Sequence, residues 1–174
     1  AADMLRRNPV NRKLKPKSVD AYARDMAAGN WRQTCEPIKF TAGLLLLDGQ
    51  HRLHAIVASG VTVRLLVAEG VEEAAQEVMD TGVKRSAADA LGLYGESKNQ
   101  SLVAAIARLA INVEVGGFGS FAVTRQVTNA EILSFVQANP DVRLAADRAG
   151  TVARQIDASS TAAVGYALWR MRRV

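Results

Sequence analysis

The stretch Leu44–Ala55, LLLLDGQHRLHA, decides how this chain is read. Four consecutive leucines make a short apolar run, which predicts a buried strand over 44–47. Asp48-Gly49 closes the run as turn punctuation. Apolar residues return at Leu53, Ile56 and Val57 with helical spacing, and Gly60 supplies the stop. A strand that turns through Asp-Gly into a helix exposes that helix's first N–H groups. Those groups have no intrahelical partner and lie at the positive end of the macrodipole.

Such a corner suits an anion, and phosphate above all. Gly49 lets the anion approach the backbone closely, and Arg52 offers a guanidinium fork. Asp48 is placed to hold Mg²⁺ or to orient a water or hydroxyl. His51 can donate to a phosphate or move a proton near neutral pH. Asp48 and His51 are therefore the candidate catalytic residues, and Asp48 the candidate metal ligand. The spaced glycines and the Gly-Lys-Ser/Thr ending of a Walker A loop are absent. His51 and His54, the two histidines of the chain, make a poor zinc pair without Cys or carboxylate company. The plain structural alternative is a turn in which Asp48 caps the helix and His54 packs.

Working outward, "EPIKFT" reads as a strand with Pro37 at its start, where a missing N–H does least harm. "VTVRLLV" reads as a third strand, rich in β-branched residues. Upstream, Ser18 is the expected cap of a helix carrying Val19, Tyr22, Ala23 and Met26, stopped at Gly29. Glu72 and Glu73 open another helix ending near Met79, with Glu72, Glu73 and Glu77 on a solvated face. After "DTGVKR" the patterning is helical throughout. "LVAAIARLAINV" is an apolar helix, "VGGFGSF" a loop, and Thr128 with Glu131 a capping box before "ILSFV". Asn139-Pro140 reads as an N-cap followed by proline at the first helical position. A last helix starts around Ser159–Thr161. The expectation is an α+β architecture, with a mixed α/β half near 1–85 and an all-helical half near 86–174.

The 174 residues, about half of them apolar, can bury a real core. Cys35 is the single cysteine, so no internal disulfide forms and a reducing cytoplasm is the expected setting. No apolar run reaches the length of a membrane helix, so no membrane partner is expected. The aromatics, among them Tyr22, Trp31, Tyr94 and Trp169, are scattered and read as core, not as a base-stacking platform. The formal charge is +5, and the opening segment is conspicuously basic: Arg6, Arg7, Arg12, Lys13, Lys15 and Lys17 against Asp3. Arg170, Arg172 and Arg173 close the chain. Arg6, Arg7, Lys13, Lys15 and Lys17 are the candidate DNA contacts, since such patches favour polyanions.

Several of these segments, in order, resemble the ParB/sulfiredoxin-fold superfamily of bacteria and phages. "NPVNRKL" is similar to the Asn-Pro…Arg opening of ParB-like N-terminal domains. "VDAYARDMAAGNW" stands where they place a helix, and "EPIKF" where they place a "qPI.v" strand. "LLDGQHRLHA" resembles their "l.dGeRRl.A" box, and "VTVRLLV" the strand after it. The resemblance covers roughly residues 5–90 and implies a small mixed sheet with helices. It also implies a nucleotide ligand, CTP as in partition ParB or ATP as in sulfiredoxin, with Mg²⁺. Carried over, the phosphate contacts are Gly49, Gln50, His51, Arg52 and Arg12, while Pro37, Ile38, Lys39 and Arg85 belong to the nucleotide pocket. Two departures stand out. Gln50 occupies the position of sulfiredoxin's cysteine, with Cys35 upstream of the strand, which removes sulfinic-acid reduction. "DTGVKR" replaces the "ENxQR" segment of clamping ParB proteins.

These residues support a ParB-like nucleotide-binding protein acting on or with DNA, as a nucleotide-dependent switch or a Mg²⁺-dependent nucleoside triphosphatase or phosphotransferase. A non-enzymatic DNA-binding regulator is the second reading. A small-metabolite kinase or a ParB-type nuclease follows, neither with an acceptor site or acidic cluster in the sequence. The apolar helical half is compatible with a homodimer.

Overall fold

The structure is a computed structural model and describes residues 1–8, 11, 13–79, 85–95, 98–116 and 125–172. The chain divides into two compact units, Ala1–Val83 and Lys84–Val174. Among the described residues it is a mixed α+β structure, with a three-stranded sheet in the first unit and helices alone in the second.

In the first unit a short helix α1 (Ala2–Leu5) precedes α2 (Pro16–Ala27). The strands are β1 (Ile38–Phe40), β2 (Leu46–Asp48) and β3 (Val67–Ala68), and α3 (Gln50–Ser59) joins β2 to the segment before β3. The sheet order is β2-β1-β3, with β2 antiparallel and β3 parallel to β1. Ile38, Phe40, Leu46 and Leu53 form one buried cluster, and Val19, Met26 and Ala55 form another. Helix α3 therefore lies between sheet and α2: Leu53 faces the strands, Ala55 faces α2, and Ile56 touches both clusters. Tyr22 and Trp31 pack edge to face with ring centroids 5.6 Å apart.

Several expected boundaries move. The four leucines are not one strand. Leu44 adopts φ 61° and sits in the β1–β2 turn, where the Thr41 N–H donates to Leu45 O and Thr41 Oγ1 accepts from Leu45 N–H. The strand begins at Leu46 and takes in Asp48. Thr41 supplies the hairpin with a side-chain acceptor, which outweighs the apolar run. Of "VTVRLLV" only Val67 lies in the sheet, opposite Ile38 of the three-residue β1, with the Leu66 carbonyl accepting the Ile38 N–H at 2.8 Å. The α2 helix starts at Pro16 behind Lys15, not behind Ser18, since proline is pre-organised for the first helical position. The segment after Glu72 is a 3-10 turn over Glu73–Val78. Gly60 does end α3, in the left-handed conformation at φ 66°.

The second unit contains α4 (Ala87–Leu93), α5 (Gln100–Gly116), α6 (Asn129–Ala138), α7 (Val142–Gln155) and α8 (Thr161–Met171). Val103, Ile106, Ala107 and Ala110 of α5 are buried in one core with Ile132, Val136, Val142 and the fully buried Trp169. The α5 and α8 helices approach so closely that a Cβ on Gly165 would stand 2.3 Å from Ile106 Cδ1. Thr128 and Glu131 form the expected capping box, and Ser86 with Asp89 forms a second one on α4. Asn139 does not cap α7: its Nδ2 donates to Phe135 O at 2.9 Å, finishing α6, and α7 begins behind Asp141. Tyr94, expected in the core, is exposed at the end of α4. Most of "VGGFGSF" lies outside the described residues.

Candidate functional site

The corner where β2 meets α3 holds most of the residues singled out by the sequence. Gly49 stands between them at φ 104° and ψ 5° with no side-chain cap on the helix behind it. Its hydrogen faces Ile38: a Cβ there would lie 2.4 Å from Ile38 Cδ1. Glycine is required by backbone and by packing together. The first-turn amides of α3, at Gln50, His51 and Arg52, follow directly, and a helix leaves such amides without intrahelical acceptors.

Three charged side chains meet beside this helix end. Lys39 and Asp48 are cross-strand partners, brought into register by a shift between Lys39 and Phe40 in the β1–β2 pairing. Lys39 Nζ lies 3.6 Å from Asp48 Oδ2 and 4.0 Å from Glu36 Oε2. Those are ion-pair distances too long for hydrogen bonds, so the ammonium keeps donor capacity. Arg52, one helical turn from Asp48, donates from Nη2 to Asp48 Oδ2 at 3.0 Å and to Pro37 O at 2.9 Å. Its Nη1 donates to Glu36 O. Side-chain exposures of 15% for Asp48, 14% for Arg52 and 20% for Lys39 place all three partly inside. Two cations thus face one half-buried carboxylate.

The sequence assigned Arg52 a fork open to phosphate; here its two terminal nitrogens brace the loop before β1 and hold Asp48. Asp48, the expected Mg²⁺ ligand, is already neutralised by two cations. Among the described residues no group of three His, Cys, Asp or Glu side chains is placed to hold a metal ion. A protein-bound divalent cation needs several oxygen ligands, and the acids in reach of Lys39 at this corner are Asp48 and the exposed Glu36.

His51 and Gln50 point the other way, toward the N-terminal segment. Buried His51 accepts the Lys15 N–H at Nε2, 3.0 Å away, which leaves the ring proton on Nδ1 in a neutral imidazole. The donor role expected of His51 cannot come from Nε2 while that bond stands. Gln50, also buried, accepts from Asn8 Nδ2 and donates to Asn11 Oδ1, each at 3.4 Å. Asn11 Nδ2 reaches Leu46 O and Leu47 O, and Leu46 N–H donates to Arg7 O at 2.8 Å. The basic opening segment is therefore not a free tail: its main chain and asparagines cover the exposed edge of β2. Sequence reasoning passed over Asn8 and Asn11, although "NPVN" places two amides where a buried strand edge needs partners.

The candidate DNA contacts on that segment remain at the surface. Lys13, Lys15 and Lys17 are exposed, as are Arg6 and Arg7, which lie 2.6 and 3.9 Å from Asp3. The Arg6 guanidinium, first by hydrogen bond and then by charge, holds the exposed Asp3 carboxyl below its usual range. Counted by unit, the first has 11 Lys and Arg against 10 Asp and Glu, and the second has 11 against 7. The basic opening is offset by acids later in its own unit, and four of the five net positive charges belong to the helical unit. Arg170 and Arg172 are exposed at the end of α8. Arg85, exposed, belongs to the second unit, while Lys39, Pro37 and Ile38 lie at the corner in the first. Arg12, Arg173 and most of "DTGVKR" lie outside the described residues.

Among the described residues no helix is long and apolar enough to cross a membrane. Comparison with family models, curated proteins and solved structures finds no match.

Proposed function

We propose that this chain is a ParB-like nucleotide-binding protein whose β2–α3 corner receives the ligand's phosphates and whose helical unit meets DNA. The observation that carries the reading is Lys39: a partly buried ammonium within ion-pair reach of two carboxylates, yet hydrogen-bonded to neither, beside the uncapped end of α3. A phosphate oxygen there gains the donors that Lys39 leaves unused and the positive end of the α3 dipole. Arg52 shapes the site by fixing Glu36 and Pro37, which brings Pro37 and Ile38 to the nucleotide's flank. Mg²⁺ enters on the nucleotide's own phosphates, in keeping with its preference for phosphate oxygens and retained waters. Hydrolysis or phosphoryl transfer is a step beyond binding and rests on Asp48 or His51 reaching a water or an acceptor.

The test is calorimetric titration of the whole chain with ATP, CTP and GTP, with and without Mg²⁺, on wild type and Lys39→Met. Saturable binding by the wild type that is lost in a folded Lys39→Met supports the site and selects the nucleotide. A folded wild type that binds none of the three, with or without DNA, refutes it.

The charge distribution favours a second reading, a DNA-binding protein that uses no nucleotide. Its positive excess sits on the helical unit, so duplex affinity should fall steeply with salt and weaken on removing Arg170 and Arg172. Salt-insensitive binding would count against it.

A further inference from the structure

The arrangement of Asp48 raises a question that the nucleotide reading leaves open. A carboxylate already occupies the space between the two cations that an incoming phosphate would use. Its Oδ2 accepts from Arg52 at 3.0 Å and stands 3.6 Å from Lys39 Nζ, while Glu36, the other acid in reach, is exposed and 4.0 Å from Nζ. We propose that Asp48 is an internal counter-anion which competes with ligand phosphate for Lys39 and thereby sets the affinity and selectivity of the β2–α3 corner.

The proposal rests on the nucleotide-site reading and assigns Asp48 a role opposite to that of a metal ligand. Three observations support it. The cross-strand register places Asp48 directly opposite Lys39, so the pairing is built into the sheet and not left to a flexible side chain. Arg52 anchors the same oxygen while also holding two main-chain carbonyls, so Arg52 stays in place when Asp48 gives up Lys39. Lys39 is the more loosely held member, since it stands 3.6 Å from Asp48 and 4.0 Å from Glu36 and is hydrogen-bonded to neither. A phosphate therefore draws the ammonium away from Asp48 with no change in the strand or the helix. Singly charged anions gain little over the resident carboxylate. A polyphosphate, carrying several charges at once, displaces it. The corner is accordingly selective for polyphosphates over singly charged anions such as acetate.

The experiment measures binding of tripolyphosphate and ATP to the full chain, wild type and Asp48→Asn, with and without Mg²⁺. Removing one negative charge a few ångströms from the ligand should tighten binding about tenfold or more, by Coulomb's law at the intermediate dielectric of such a site. The gain should appear without Mg²⁺. Equal or weaker binding by a folded Asp48→Asn overturns the proposal while wild-type binding keeps the nucleotide site. Loss of Mg²⁺-dependent binding makes Asp48 a metal ligand and overturns it as well. Absence of binding to both proteins overturns the nucleotide site and the proposal together. A measurement on the wild type removes dependence on the variant's folding. The Asp48 carboxyl carbon, followed by NMR, should shift as tripolyphosphate saturates the protein. An unmoved Asp48 resonance at saturation refutes the competition.

Discussion

Replacing Gly49 by alanine tests the corner at its tightest point. Two costs arise. At φ 104° an L-residue is strained by roughly 1–2 kcal/mol. The new Cβ also lies 2.4 Å from Ile38 Cδ1, 3.3 Å from Ile38 Cγ2 and 3.4 Å from Arg52 Nη2. Overpacking of that kind costs about 1–3 kcal/mol, so the loss is roughly 2–5 kcal/mol. That is a large part of the ~5–15 kcal/mol that holds a domain. Urea unfolding followed by amide NMR reads the two units separately, with Leu53 and Ala55 for the first and Ala107 and Ala110 for the second. At a urea slope of about 1 kcal/mol/M, the first-unit midpoint should fall by about 2 M or more, while the second-unit amides serve as an internal reference. Gly60→Ala isolates the strain, because Gly60 has φ 66° and nothing within 4 Å of a built Cβ; its loss should be about 1 kcal/mol. Ile38→Val removes the atom struck first. Alone it costs about 0.5–1.5 kcal/mol, yet in the Gly49→Ala background it should relieve the clash, with a coupling of at least about 1 kcal/mol. Strict additivity, or a Gly49→Ala loss no larger than that of Gly60→Ala, would refute the close packing of Gly49 against Ile38.

Two helical glycines should respond with opposite signs. Gly165→Ala gains helix propensity but drives a Cβ to 2.3 Å from Ile106 Cδ1 and 2.8 Å from Cγ1; a net loss of about 1 kcal/mol in the second-unit amides is expected, and any gain contradicts the α5–α8 approach. Gly150→Ala meets nothing within 4 Å and should stabilise the same amides by roughly 0.5–1 kcal/mol. Acid should fray α4. The Ser86 hydroxyl, and then its main-chain N–H, hold the exposed Asp89 carboxyl below its usual value of 3.8. Because the folded value is depressed, the contribution is complete above 3.8 and is lost as the pH falls through the lower folded value. Amide exchange over Ala87–Leu93 should quicken in that window in the wild type and show no such step in Asp89→Asn.

What the sequence determined by itself was local. Gly60 as the end of α3, Thr128–Glu131 as a capping box and the strand–glycine–helix turn at 48–50 depend on neighbours within four residues, so composition and spacing suffice to read them. Even there a side-chain acceptor misled the strand boundary: the Thr41 hydroxyl pulls Leu44 and Leu45 into the hairpin turn against their apolarity. Partnership across the chain was not legible. Nothing near Arg52 in sequence says that its nitrogens go to the carbonyls of Glu36 and Pro37, nor that Asn8, Asn11 and Lys15 reach back to Gln50, the β2 edge and His51. Those bonds join residues 15 to 42 positions apart. How much of "VTVRLLV" lies in the sheet was likewise settled elsewhere, by its pairing with β1. Tertiary structure decided which charges at the corner pair with one another, because hydrogen bonds and ion pairs are won by proximity in space, and only the packed chain sets that.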